Sequence, residues 1–344
     1  MIDEAGQRAC DWAFDVLGCQ ASRVEAIGSD ASRRRYFRLF LEPDQAGTVA
    51  DGLSSTLIVM DAPPEQEPLG PFIDIQERLA QIGLHVPTIL HVEQTRGWMV
   101  LSDLGSTSYL DRLDPKNVDA ADDLFEDAHQ ALLMMQSRAS TEGLSAYDAS
   151  RLLAEMSLFT DWFLTHHWGV EPTDEEWDQW DLICAGIIRW ALDQPLVFCH
   201  RDFMPRNLMV SQPNPGVLDF QDAVIGPVTY DPISLYMDAF ISWPRSYVDQ
   251  SLERYRQQAK AQGIDVPDHA DLWGRMCDFM SIQRHLKVIG IFARIAYRDG
   301  KPRYLTDVGR FFDYIRETAQ RNPELLALTD LIQVWESRQK ARQS

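Results

Sequence analysis

The sequence predicts an α+β protein in two parts, a small β-rich N-terminal lobe over residues 1–104 and a larger, mainly helical lobe over residues 105–344. Three observations lead there. Segments rich in aromatic and β-branched residues cluster in the first hundred positions and recur in one stretch near residue 200. Apolar residues at spacings of 3 and 4 dominate most of the remainder. The change of character falls at a Gly-containing bend, Asp103 to Gly105.

In chain order, "SRRRYFRLFL" and "STLIVMDA" read as strands, the first preceded by a turn at "GSDAS". Phe72, Ile75, Leu79 and Ile82 place one apolar face on a helix that ends at Gly83, and "GWMVLSDLG" is a strand running into the bend. Leu124, Ala128, Leu132 and Met135 mark a helix over 121–137, and residues 150–168 and 175–192 read as two more. Trp162, Trp177, Trp180 and Trp190 are expected to pack between them. "PLVF", "NLMV" and "GVLDF" are short strands, with "SQPNPG" as a tight turn between the last two, and from Tyr230 onward the chain is again mostly helical.

Of 344 residues, 45% are hydrophobic and 24% charged, as in an ordinary globular protein, but the formal charge is -20. That charge argues against non-specific binding to nucleic acid or to an anionic membrane surface. No apolar run approaches the ~18 residues of a membrane span, the acidic N-terminus has no apolar signal-peptide core, and nothing points to an obligate protein partner. The five cysteines form no C-x-x-C pair, so neither a disulfide framework nor a zinc site is expected and a cytoplasmic location is.

The chemistry concentrates in "VFCHRDFMPRNLMVSQPNPGVLDF". Asn207 and Asp219 stand 12 residues apart, on either side of the turn, where a hairpin brings their hard oxygens together. Few hard oxygens suit Mg²⁺, which is completed by substrate phosphates. Asp202, five residues before Asn207 and outside the strands, is placed to accept a hydroxyl proton. A lone Asp-x-x-x-x-Asn would be read as surface chemistry. Here His-Arg-Asp, four residues, Asn, a hairpin and Leu-Asp-Phe occur together, which is the order of a phosphoryl-transfer site. His200 is expected to brace the loop rather than to react.

On these residues the chain resembles the aminoglycoside phosphotransferase and choline kinase group, from about Gly28 to Tyr304. The continuation "DFQDAVIGPVTYDPISL" strengthens the likeness, through Asp219, Asp222, Gly226, Pro227, Tyr230 and Asp231. The resemblance implies a protein-kinase-like two-lobed fold, ATP and Mg²⁺ as cofactors, Asp202 as catalytic base, Asn207 and Asp219 as metal ligands, and Asp231 as support for the catalytic loop. It also implies an adenine-binding hinge at Ser102, Asp103 and Leu104. Met204 stands where protein kinases carry Lys, Gln221 where they carry the Gly of D-F-G, and no A-P-E motif follows. These departures point to a small hydroxylated acceptor.

A further departure concerns the phosphates. The third strand of such kinases carries a Lys paired with a helix Glu, whereas here Met60 and Phe72 occupy those places. The candidate replacement is the segment 28–39, in which Gly28, Ser29 and Ser32 offer hydrogen bonds and Arg33, Arg34 and Arg35 offer fixed charges suited to gripping phosphate. The alternative is three solvated arginines at a strand start, and the sequence does not say which would point inward.

Residues 281–303 hold six Lys or Arg and one Asp. Arg284, Lys287, Arg294 and Arg298 lie near one helical face, either as a stripe paired with the protein's own acids or as a pocket for an anionic acceptor, with Asp222 a further candidate contact. "CHRDFMPRNLMV", "LDFQDAVIGPVTYD" and "QRHLKVIGIFARIAYRDGKPRYL" are together similar to the bacterial anomeric kinases of N-acetylmuramate and N-acetylglucosamine in peptidoglycan recycling. That resemblance implies phosphorylation at the C1 hydroxyl. The alternatives are another acceptor on the same fold (an aminoglycoside, choline, homoserine or methylthioribose) and a non-catalytic nucleotide-binding regulator.

Overall fold

The computed structural model describes residues 2–28, 33–42 and 55–343. The chain forms two compact units: Met1–Arg112 with Asp123–Ala131 and Arg206–Asp222, and Leu113–Asp122 with Leu132–Pro205 and Ala223–Ser344. Residues 206–222 thus group with the N-terminal unit, although they lie far along the chain.

The smaller unit begins with helix α1, Glu4–Leu17, capped by the Asp3 carboxylate, which accepts the Gly6 N–H at 2.8 Å, and closed by Gly18 in the left-handed region. Strands β1 (Ala21–Ile27), β2 (Arg35–Leu41), β3 (Thr56–Asp61), β4 (Ile89–Glu93) and β5 (Trp98–Ser102) form one antiparallel sheet in the order β1-β2-β3-β5-β4. Side chains alternate across it. Phe37, Leu39 and Leu41 of β2, Leu57 and Val59 of β3, and Trp98 and Val100 of β5 share a core with Ala9, Cys10 and Ala13 of α1. Tyr36, Arg38, Ile58, Met60 and Met99 therefore occupy the other face, with Tyr36 directly opposite Met60 and Met60 opposite Met99.

Helix α2, Leu69–Gln81, buries Phe72, Ile75 and Leu79 of the face read from the sequence, adds Leu69, and ends before Ile82, which caps it. It starts before Phe72 because Pro71 is tolerated in a first turn that needs no N–H donor there. A short helix α3, Tyr109–Arg112, precedes α4, Val118–Arg138. Strands β7 (Leu208–Met209) and β8 (Gly216–Val217) complete this unit as a separate two-stranded hairpin.

In the larger unit, β6 (Leu196–Cys199) pairs antiparallel with β9 (Val224–Pro227), a strand the sequence reading did not mark. Helices α5 (Ala149–Leu158), α6 (Asp174–Leu192), α7 (Tyr230–Tyr236), α8 (Arg245–Ala261), α9 (Ala270–Arg298), α10 (Val308–Arg321) and α11 (Leu326–Gln343) make up the rest. A Thr173–Glu176 capping box starts α6. The single helix expected over 150–168 is two pieces, because Phe159–His167 continue α5 as a π-helix. That register turns Phe159, Phe163 and Leu164 into the core.

Helix α9 is buried almost all round, as expected of a central helix. At Gly290 a Cβ atom would stand 2.3 Å from the Leu158 carbonyl carbon, so only glycine lets α9 approach the end of α5 this closely. Among the described residues no helix is long and apolar enough to cross a membrane. The five cysteines are buried free thiols.

Candidate active site

In the larger unit, the loop after β6 carries His200, Arg201 and Asp202. The chain turns sharply there: Arg201 has φ 74°, in the left-handed region that non-glycine residues seldom enter. Asp231, fully buried at the start of α7, holds the turn by accepting the backbone N–H groups of His200 at 2.7 Å and Arg201 at 2.9 Å. Burial raises its carboxyl above the ordinary value, and the neighbouring His200 and those two N–H groups oppose the rise. The Asp202 N–H contacts the His200 ring Nδ1 at 3.2 Å, so His200 shapes the loop from inside. Asp202 itself is partly exposed.

Beneath the loop lies a polar cluster that the sequence gave no sign of. Glu155 of α5 accepts from Arg201, Tyr147 and Gln283, and pairs with Lys287 of α9 at 3.3 Å. The Lys287 ammonium also donates to the Tyr230 hydroxyl at 3.0 Å. Burial alone would push Glu155 up, but Lys287 and Arg201 outweigh it and leave the carboxyl lowered. Burial likewise pulls Lys287 down, and Tyr230 and Glu155 reverse that to leave it raised. Both partners thus stay ionised, and Arg201 is anchored by charge as well as by its backbone.

The hairpin of the smaller unit carries the other two candidates. The Asn207 Nδ2 donates to Asp219 Oδ2 at 3.3 Å, and the Leu218 N–H donates to the Asn207 carbonyl at 2.9 Å, so the two residues stand side by side across the hairpin. Asp219 has φ 64°. Arg201 and Asp219 are the non-glycine residues with positive φ among those described, and strained backbone of this kind gathers at functional sites. Gln221, in the place of a glycine, donates to Asp219 Oδ1 at 2.9 Å and orients the carboxylate.

The hairpin is secured at its tip and edges. Asn214 donates to the Tyr109 hydroxyl at 2.9 Å and to Asp127 at 2.6 Å, and Val217 N–H and Val210 N–H donate to the His85 and Thr107 carbonyls. An amide oxygen and a carboxylate this close fit Mg²⁺, whose remaining positions belong to water and phosphate oxygens. Among the described residues no group of three or more His, Cys, Asp or Glu could form an all-protein metal cage.

Of the nucleotide-loop candidates, Ser29 and Ser32 lie outside the described residues and Gly28 is exposed. The three arginines part company. Arg33 donates to Gln66 at 2.7 Å on the surface. Arg35 faces α1, held by Asp3 and by Asp61 at the end of β3, so it is removed from the face where phosphates were expected. Arg34 is 7% exposed and pairs with Glu67 at 2.9 Å. At the hinge candidates, the Ser102 hydroxyl accepts the Thr88 N–H at 2.8 Å and Leu104 is buried. Arg38 donates to the Asp103 carboxylate at 2.6 Å and to the Gly105 carbonyl at 2.7 Å, which fixes the bend.

The basic residues of α9 do not form one exposed stripe. Arg284 is 2% exposed and donates to the Met237 carbonyl at 3.3 Å, Lys287 belongs to the Glu155 cluster, and Arg298 pairs with Asp299. Arg294 is half-buried, and burial followed by the neighbouring Arg298 lowers its guanidinium from the ordinary value. Asp222 is exposed at the end of the hairpin segment.

The sequence profile of the phosphotransferase enzyme family matches residues 23–271, nearly three-quarters of the chain. The chain belongs to that family. A Pseudomonas aeruginosa protein named N-acetylmuramate/N-acetylglucosamine kinase is 51% identical over 304 residues, covering 88% of this chain and 86% of the relative. A Pseudomonas putida protein of the same name is 48% identical over 312 residues, covering 91% and 88%. Among solved structures, the ADP-bound aminoglycoside phosphotransferase APH(2'')-Ib superposes with a TM-score of 0.58 at 14% identity, covering 88% of this chain and 96% of that one. The phosphotransferase family's protein-kinase-like fold is therefore the fold of this chain, and the α+β expectation holds.

Proposed function

We propose that this phosphotransferase transfers the γ-phosphoryl group of ATP to the anomeric (C1) hydroxyl of N-acetylmuramate and N-acetylglucosamine, giving the sugar 1-phosphate for cell-wall recycling. The observation that carries the acceptor assignment is the pair of relatives at 51% and 48% identity that bear this name over most of both chains. The five free thiols suit the reducing cytoplasm in which this reading places the enzyme.

In this reading Asp202 accepts the C1 hydroxyl proton as the sugar oxygen attacks the γ-phosphorus. The bond from that phosphorus to the β–γ bridging oxygen breaks, ADP leaves, and the proton departs from Asp202 to solvent. Asp231 and His200 fix the loop so that the carboxylate need not reorganise during the reaction. Asn207 and Asp219 would hold Mg²⁺, which when bound neutralises charge on the β- and γ-phosphate oxygens. Gln221 keeps the Asp219 carboxylate turned for that task. Ser102, Asp103 and Leu104 supply the adenine-side backbone, and Arg294 and Asp222 are candidate acceptor contacts, whereas Arg284 is buried against the Met237 carbonyl.

The test is ADP release from Mg²⁺-ATP with N-acetylmuramate, N-acetylglucosamine, their C1 methyl glycosides, choline and kanamycin as separate acceptors. Release with the free sugars and none with the methyl glycosides is the expected result. The net charge of -20 would suit a cationic acceptor, so release with choline or kanamycin alone would transfer the assignment to that class.

A further inference from the structure

The third strand and α2 both lack the charges that hold phosphate elsewhere in kinases of this kind. Met60 is fully buried, and Phe72 packs its ring against Phe220, the residue after Asp219, at 4.9 Å between centroids. The ion pair has thus been replaced by apolar contact, and neither half is left uncompensated. The face of the sheet opposite α1 nevertheless carries a cation. β2 alternates, so the side chain of Arg34, immediately before its first residue, shares the face of Tyr36 and Arg38. Tyr36 is the direct cross-strand partner of Met60. Arg34 is therefore one step along the same face from the missing lysine, whereas Arg35 is turned to the α1 side.

Two partners hold Arg34 in place. Glu67, just ahead of α2, binds Nη2 at 2.9 Å, and the same carboxylate accepts the Arg33 backbone N–H at 3.4 Å. Arg34 also donates to the Tyr36 phenol oxygen. That phenol is near enough to feel the Asp219 carboxylate, and its pKa is pushed up to about 12, chiefly by burial. Glu67, Arg34 and Tyr36 form one connected set within the smaller unit. A guanidinium presents its donors in a planar fork, the geometry that grips phosphate.

We infer that Arg34 is the phosphate-gripping cation of this enzyme, supplied from the start of β2 in place of the third-strand lysine, and that Glu67 is its positioning residue. This rests on the reading of the chain as an ATP-dependent phosphotransferase, and the two can fail separately. The measurement is direct binding of ADP and of adenosine, without acceptor, by calorimetry. Arg34→Gln is expected to weaken ADP by about 10- to 100-fold, the worth of charge-assisted hydrogen bonds, and to leave adenosine within about 3-fold. Glu67→Gln should weaken ADP by less, while Glu67→Asp restores part of the loss, because a positioning carboxylate acts through geometry.

If Arg34→Gln does not fold, Arg34→Lys carries the test. It keeps the charge and loses the fork, so ADP should weaken and adenosine should not. Equal weakening of ADP and adenosine, or a loss as large in Arg33→Gln or Arg35→Gln, would overturn the assignment. Wild-type ADP binding that depends on Arg34, without turnover of the amino sugars, would leave Arg34 in place and remove the acceptor assignment instead.

Discussion

The cluster under the loop after β6 and the β7–β8 hairpin are built on opposite principles. Under the loop, Asp231 and Glu155 have their oxygens taken by backbone N–H groups, Arg201, Lys287, Tyr147 and Gln283, all from the larger unit. On the hairpin, Asp219 is exposed, with Asn207 and Gln221 as side-chain neighbours that steer it. The first arrangement consumes its charges internally and serves geometry. The second leaves a carboxylate at the surface, as the proposed metal role of Asp219 requires. The carboxylates of these two regions therefore divide into buried ones whose oxygens are taken by the protein's own donors and ones that face solvent.

The sharpest way to break this comparison is substitution of the two solvent-facing carboxylates, Asp202 and Asp219. Asp202→Asn should lower turnover by on the order of 10² to 10⁴, and Asp219→Asn by on the order of 10² to 10³, each with a melting temperature within about 2 °C of wild type. Steady-state kinetics and calorimetry together decide it; a large loss of stability in either would place that residue among the structural group.

Glu155→Gln should do the reverse, destabilising the protein by about 3–5 kcal/mol in denaturant unfolding, because it leaves Lys287 and Arg201 buried without a carboxylate. Its pH signature follows from the lowered carboxyl. The stability that Glu155 contributes is present above its unfolded-state pKa and is lost as pH falls through the folded-state value. The acid limb of wild-type stability should therefore be steeper than that of Glu155→Gln, and parallel limbs would show that the carboxylate is not ionised in the cluster.

Gly290→Ala should cost about 1–3 kcal/mol by forcing α9 away from α5, with little change in nucleotide affinity. The smallest effect belongs to Asn214→Ala at the hairpin tip, about 0.5–1.5 kcal/mol per lost hydrogen bond. Its expected readout is a raised KM for Mg²⁺-ATP with kcat nearly unchanged.

Much of this was legible before the structure. The α+β class and most of the face of α2 follow from local periodicity, because each depends on residues close in sequence. The Glu155 cluster was not legible: its members come from positions 147, 155, 201, 230, 283 and 287, and no spacing rule joins residues that far apart. Helix α1 was missed because its apolar face is narrow, and β9 because it is short and mixed. The π-helical turn left no sequence trace, since its apolar residues also suit an α-helix. The separation of Arg34 from Arg35 was available in principle, because strand alternation alone sends adjacent residues to opposite faces.

The backbone of Asp219 has a consequence for how freely this position can vary. Its left-handed conformation favours glycine, asparagine and aspartate, while the proposed metal role adds a need for negative charge, which the neutral amide of Asn207 does not supply. Only aspartate passes both filters. Glutamate, which similarity scores rank as the mildest exchange, keeps the charge but lengthens the side chain and loses the short local hydrogen bonding that eases this backbone. In a saturation library selected for kinase activity, position 219 should therefore collapse to a single residue, whereas Asn207, on ordinary backbone, has only the ligand to satisfy.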